Sequence, residues 1–317
     1  MSTLHKFLFE GLPVRGMLVR LTDAWQEALR RRATVGAFPP EVRALLGEMT
    51  AAGLLMQANI KFNGALVLQI SGDGPVKLAV AEVQPELSFR STAKVVGEVP
   101  AGAQLEAMLN VHGQGRCAIT LDPRDKLPGQ QPYQGVVPLH GDRREPLQHV
   151  AQVLEHYMLQ SEQLDTRLVL AANDEVAAGL LIQRLPLEGS GNLGVRNEDL
   201  IGLSDAFNRI SLLAATLTRE ELLTLEPEQV LHRLFWEETI RRFEPLQPRF
   251  ACTCSRSRVA GMLQSLGRAE SDSLIAERGL VEVGCDFCGL QYHFDAVDVG
   301  ALFTPVREQP PGSGVMH

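Results

Sequence analysis

Four of the chain's five cysteines stand in two tight pairs near the C-terminus, Cys252-Thr253-Cys254 and Cys285-Asp286-Phe287-Cys288, with thirty residues between them. A C-x-C followed by a C-x-x-C supplies four soft ligands for one closed metal site, and thiolates are also the groups that oxidants attack first. The surrounding stretch, 249–303, has thin apolar content: Phe250, Val259, Met262, Leu263, Leu266, Leu274, Ile275, Leu280, Val283, Phe287, Tyr292 and Phe294. A core that small rarely holds itself together without a staple. Zinc with four thiolates fits best, tetrahedral and with no position open to water. In such small metal domains the binding free energy, on the order of 10–16 kcal/mol at neutral pH, is the folding free energy.

Two readings of this site stand side by side. In the plainer one it is a structural zinc knot. In the other it is a redox switch: zinc ties two segments thirty residues apart, whereas oxidation within each pair would leave two tiny loops. Loop-closure restraint grows with loop length, so tiny loops constrain the chain little. Further candidates are weaker. Cys117, in Arg116-Cys117-Ala118-Ile119-Thr120, reads as a small buried apolar residue. His293, five residues past Cys288, would be a substitute ligand but alternates with Tyr292 and Phe294 in a strand pattern. Arg256 and Arg258 beside Cys254 would lower thiol pKa or offset the charge of a tetrathiolate site, or else are simply solvated.

Composition narrows the function classes. Thirty Lys and Arg against 38 Asp and Glu give a net charge of −8, which disfavours phosphate-backbone binding. Residues 249–303 themselves carry five arginines against seven acids. The N-terminus is interrupted by Lys6, Glu10 and Arg15, so no signal core is expected, and no run approaches the ~18 apolar residues of a membrane span. The expected compartment is the cytoplasm, where paired cysteines point to metal or redox chemistry over permanent disulfides. There is no G-x-G-x-x-G after a strand, Walker loop, G-x-S-x-G or H-E-x-x-H. Cys285-x-x-Cys288 lacks the βαβ setting of a thioredoxin-like enzyme, so no catalytic residues and no enzyme are expected.

Four sections follow from patterning. Residues 1–195 alternate helical and strand patterns: helices over Asp23–Arg32, capped by Thr22, over Pro40 to about Phe62, and over Pro146–Gln160. A hairpin runs through Ala65–Ile70 and Val76–Val80, with further strands at Arg116–Leu121, Tyr133–Pro138, Arg167–Ala172 and Ala178–Leu185. Short connections favour an antiparallel sheet with helices packed on it, hence an α+β fold. Leu187–Gly194 reads as a linker. Residues 196–247 form an acidic, amphipathic, helical segment, with a capping box at Thr218 and Glu221 and a helix start at Pro227. Its short helices need a surface to pack on, the α+β domain and the zinc unit both being expected to supply one. Residues 248–305 form the four-cysteine zinc domain, and 306–317 a disordered tail.

The residues carry a family resemblance over nearly the whole chain. Phe250-x-Cys252-x-Cys254-Ser255, Leu266-Gly267, Cys285-Asp286-Phe287-Cys288 and Tyr292-x-Phe294-Asp295 resemble the metal domain of the heat-shock protein 33 family. Phe7-Leu8-Phe9-Glu10, Val14-Arg15-Gly16, Lys61-Phe62-x-Gly64, Gln69-Ile70-x-Gly72-Asp73-Gly74-Pro75, Tyr133–Val137 and Ser161–Leu168 resemble its N-terminal domain. The resemblance implies an ATP-independent holdase of the bacterial cytoplasm, inactive when reduced and zinc-bound. It implies that Cys252, Cys254, Cys285 and Cys288 are both the zinc ligands and the redox-active thiols, forming Cys252–Cys254 and Cys285–Cys288 disulfides. It further implies zinc release, unfolding of the metal domain and adjoining linker, dimerisation, and capture of unfolding client proteins without nucleic acid or membrane. Two departures are visible: Ser255-Arg256-Ser257-Arg258 lacks the acid usual after the C-x-C, and Asp165 stands where the family has proline. A structural zinc module for partner or nucleic-acid binding, and a thiol oxidoreductase, are the alternatives.

Overall fold

A computed structural model describes residues 1–126, 129–185 and 197–304, with only the backbone over 197–204. The linker expected at Leu187–Gly194 and the tail from Gln309 lie outside the described residues. The chain divides into two compact units, Met1–Ala251 and Cys252–His317.

The first unit opens with β1 (Thr3–Phe9), β2 (Val14–Leu21) and α1 (Asp23–Ala33), followed by the long helix α2 (Pro40–Asn59). Then come β3 (Gly64–Ser71), β4 (Val76–Val83), β5 (Ser88–Val95), α3 (Leu105–Leu109), β6 (Arg116–Pro123), β7 (Tyr133–Pro138), α4 (Val150–Glu162), β8 (Thr166–Ala172) and β9 (Ala177–Arg184). The acidic segment supplies α5 (Asn197–Ala215), α6 (Arg219–Thr224), α7 (Pro227–Phe235) and the short strands β10 (Ile240–Arg242) and β11 (Arg249–Phe250). One sheet has the order β10-β1-β2-β9-β8; the other has the order β11-β5-β4-β3-β6-β7. All pairings are antiparallel except β11 with β5.

Helix α2 explains why two sheets form where sequence patterning suggests one. It is apolar around most of its circumference, with thirteen buried residues, and such a helix must be covered on several sides. Leu4, Met17, Val19 and Leu181 of the first sheet and Leu66, Leu68, Ala81 and Val83 of the second enter one core with it. Gly47, a helix interior glycine, sits where a Cβ would come within 2.4 Å of the Ala172 Cβ. The helix stops at Asn59, not near Phe62, because Ile60 is already extended.

The first sheet is buried on both faces. Phe7, Phe9, Val14, Leu18, Leu180 and Ile182 enter a second core with Phe207, Ile210, Leu222, Val230, Leu231 and Phe235 from α5–α7. The aromatic nucleus is tight: ring centroids are 5.6 Å apart for Phe7–Phe9 and 5.0 Å for Phe9–Phe235. Gly16, directly opposite Phe7, leaves room for its ring; a Cβ there would be 2.1 Å from it. Two helix starts differ from expectation. The Thr218–Glu221 capping box forms, but Thr22 does not cap α1 through its side chain. Buried Ser2 takes that role, its Oγ accepting from the Thr22 and Ala24 N–H groups and donating to Asp23. The acidic segment is also not helical throughout, since Ile240–Arg242 pairs with β1 as an edge strand.

Candidate metal centre

The second unit consists of α8 (Arg256–Leu266), α9 (Arg268–Arg278), the hairpin β12 (Val281–Gly284) and β13 (Gln291–Phe294), and α10 (Ala296–Leu302). Its fully buried apolar core among the described residues is Leu263, Val281, Phe294 and Val299, while Met262 and Leu266 are exposed. Local chemistry places the cysteines. Cys285 to Cys288 forms the hairpin turn, closed by hydrogen bonds from the Gly289 N–H to the Cys285 carbonyl (2.8 Å) and from the Cys285 N–H to the Leu290 carbonyl (2.9 Å). Gly289 has φ of 73°, a left-handed conformation that glycine adopts freely. The first pair lies just before α8, whose N-cap is Ser255, its Oγ accepting from the Arg258 N–H.

The four Sγ atoms lie within 4.8 Å of one another, with Cys252–Cys285 at 3.6 Å and Cys254–Cys288 at 3.4 Å. Metal–sulfur bonds of about 2.3 Å in a tetrahedron require sulfur–sulfur edges of about 3.8 Å, so the donor set fits one metal ion. All four thiols are free; Cys288 is buried and the others half-buried. Burial, and then the crowding of Cys254, Cys252 and Cys285, holds the Cys288 thiol well above its ordinary value. Crowded, desolvated thiols resist ionisation until a cation joins them, so the site favours metal binding over four independent thiolates.

Sequence reasoning missed the role of Tyr292. It packs partly buried against the small core, and the neighbouring sulfurs, Cys254 first and then Cys288 and Cys285, raise its phenol above the ordinary range. The signal was the Tyr292-x-Phe294-Asp295 run just after the second pair: Phe294 is core, and Asp295 caps α10 by accepting from the Asp298 N–H at 2.8 Å. His293 points away, exposed and 3.3 Å from Glu282, and is not in the sulfur cluster. The two arginines are ties. Arg258 donates to the Thr253 carbonyl and hydroxyl, bracing the first cysteine pair. Arg256 bonds the His293 carbonyl and Asp298 and stacks 4.2 Å over the Phe294 ring. Cys117 lies buried in the first unit, where desolvation pushes its thiol up to about 12 and keeps it inert. No helix among the described residues is long and apolar enough to cross a membrane.

An α+β body with a separate small unit organised around four thiols defines the class. The Hsp33 protein family model matches residues 2–295, and the chain belongs to that family. It is 47% identical over 300 residues to the 33 kDa chaperonin of Chromobacterium violaceum, covering 95% of this chain and 93% of that one. It is 42% identical to the 33 kDa chaperonin of Methylobacillus flagellatus, covering 99% and 98%. The fold is similar to the crystal structure of the 33 kDa chaperonin, an Hsp33 homolog, of Thermotoga maritima, with a TM-score of 0.74 and 22% identity over 95% of this chain and 98% of that one.

Proposed function

We propose that this chain is a redox-regulated, ATP-independent holdase chaperone of the cytoplasm, which binds unfolding proteins and has no catalytic site. Cys252, Cys254, Cys285 and Cys288 hold zinc in the reduced, inactive protein. Zinc supplies a cross-link between two segments of a unit that has almost no core. Under oxidation, Cys252 joins Cys254 and Cys285 joins Cys288. In each pair one S–S bond forms as two sulfurs give up two electrons; the O–O bond of a peroxide breaks, and with protons from the thiols or solvent two waters leave. With its ligands spent, the chain gives up zinc, and residues 248–305 unfold together with the adjoining segment 196–247. Residues 1–195 remain as the folded body, and the oxidised form dimerises.

One observation carries this reading: the four Sγ atoms converge within 4.8 Å while three of the cysteines are only half-buried, so the atoms that would hold the metal would also be open to an oxidant. The apolar surface for clients has an evident source. Helices α5–α7 cover one face of the first sheet, and α6 and α7 are too short to persist alone in water.

The test is a single peroxide titration reading zinc release and suppression of a heat-denatured enzyme's aggregation. The two curves are expected to superimpose. Full suppression by the reduced protein, or zinc release without suppression, defeats the reading. Tyr292→Phe, which removes a phenol hydroxyl neighbouring the Cys254 sulfur, is expected to weaken zinc affinity by roughly ten- to hundredfold, read by competition with a chromogenic chelator.

A further inference from the structure

The segment joining α7 to the second unit behaves as a borrowed strand. From Thr239 to Leu246 it runs antiparallel along the edge of β1, with Phe9 opposite Ile240, Leu8 opposite Arg241 and Phe7 opposite Arg242. Main-chain hydrogen bonds hold it: the Glu10 N–H to the Thr239 carbonyl and the Phe243 N–H to the Lys6 carbonyl. Leu4 and Leu246 exchange both of theirs, each at 2.9 Å. Its side chains contribute little, because every residue from Arg241 to Gln247 is exposed. Nor does it fill the space it covers. A cavity of about 250 Å³ remains between Lys6, Gln57, Pro85, Leu87 and Leu246. The Gln57 side chain there is 3% exposed; its Nε2 donates to the Gly64 carbonyl while its Oε1 lacks a partner.

Beneath this weakly held strand, β1 is firmly built. Leu4 is locked into the core around α2, Phe7 and Phe9 into the opposite core, and β2 pairs with it from Thr3 to Leu8. Removal of the strap therefore leaves a rigid strand with a row of unpaired N–H and C=O groups, which is a template for another extended chain. The strap ends at Leu246, six positions before Cys252 in the sequence, with only the short β11 between them.

We infer that the edge of β1 is a polypeptide-binding site, occupied in the resting protein by residues 239–246 and in the active protein by an extended stretch of client pairing antiparallel to β1. Recognition through the main chain is indifferent to client sequence, with side chains adding only secondary preference. This rests on the holdase reading above and names how that protein grips part of its client.

The test follows backbone amide exchange in the full-length chain, with reduced, carboxymethylated lactalbumin as a permanently unfolded probe. Peroxide is expected to speed exchange at Leu4 and Glu10 by about tenfold or more, while β2 amides facing β9 stay slow. Adding the probe returns Leu4 and Glu10 to their slow rate. A peptide of residues 238–251 competes with the probe, and the same peptide N-methylated at alternate residues does not. Capture of the probe with Leu4 and Glu10 still exchanging fast, or never exchanging fast, overturns the inference and leaves the holdase reading intact. Equal competition by both peptides also overturns it. Failure of the oxidised chain to capture the probe at all removes the holdase reading and this inference with it.

Discussion

Replacing Cys288 with serine is expected to unfold the whole second unit while the first keeps its melting temperature. Cys288 is the most buried of the four thiols and sits at 3.4 Å from Cys254, so its loss removes a bond that bridges the two cysteine pairs. The four buried apolar residues of the unit contribute about 1.5–3 kcal/mol each. That sum cannot order two helices, a hairpin and a terminal helix by itself, since fixing each residue costs about 1–2 kcal/mol of backbone entropy. A metal ion at the four thiols would contribute about 10–16 kcal/mol, as in comparable small domains, and three thiolates with a hydroxyl would not recover that in full. Amide chemical-shift dispersion of residues 252–304 should collapse in the variant and in chelator-treated wild type alike. A variant that retains native dispersion would show that packing alone folds the unit, and the switch would have no lever.

The site was legible because its chemistry is local. Two cysteine pairs thirty residues apart, a serine after the first and a thin apolar complement suffice to expect a metal-held unit, and the sulfurs do converge. Tyr292 escaped because its neighbourhood is set by pairing and not by spacing: the register of β12 with β13 places it opposite Val283, next to the sulfurs that perturb its phenol. The same limit operated in the fold. Strands β3, β4 and β7 declare themselves through β-branched residues and turn signals, whereas β1 and β2 do not alternate, because both faces of their sheet are buried. Strand β5 is masked by its polar residues. Ser2 as the cap of α1 and the pairing of Ile240–Arg242 with β1 are contacts across 20 to more than 200 residues, beyond the reach of any window.

Phe235→Ala is expected to give a protein that exposes apolar surface while still reduced. Phe235 is 2% exposed and packs against Phe9 at 5.0 Å and Phe7 at 6.3 Å, over the gap that Gly16 leaves. Truncating such a ring costs about 3–5 kcal/mol. The cost falls on one cooperative element, because the core shared by α5–α7 and the first sheet is separate from the one around α2. A change of about 3 kcal/mol alters an opening equilibrium by more than a hundredfold, so amide exchange in α6 and α7 should accelerate by about that factor. Exchange in α2 should remain at the wild-type rate. Hydrophobic dye fluorescence and aggregation suppression should then rise without peroxide. The neighbouring Trp236→Ala, at a residue 68% exposed, serves as the control and should change neither. If α2 amides accelerate in parallel with those of α7, the segment and the body unfold as one, and α5–α7 cannot be released on their own to uncover the sheet beneath them.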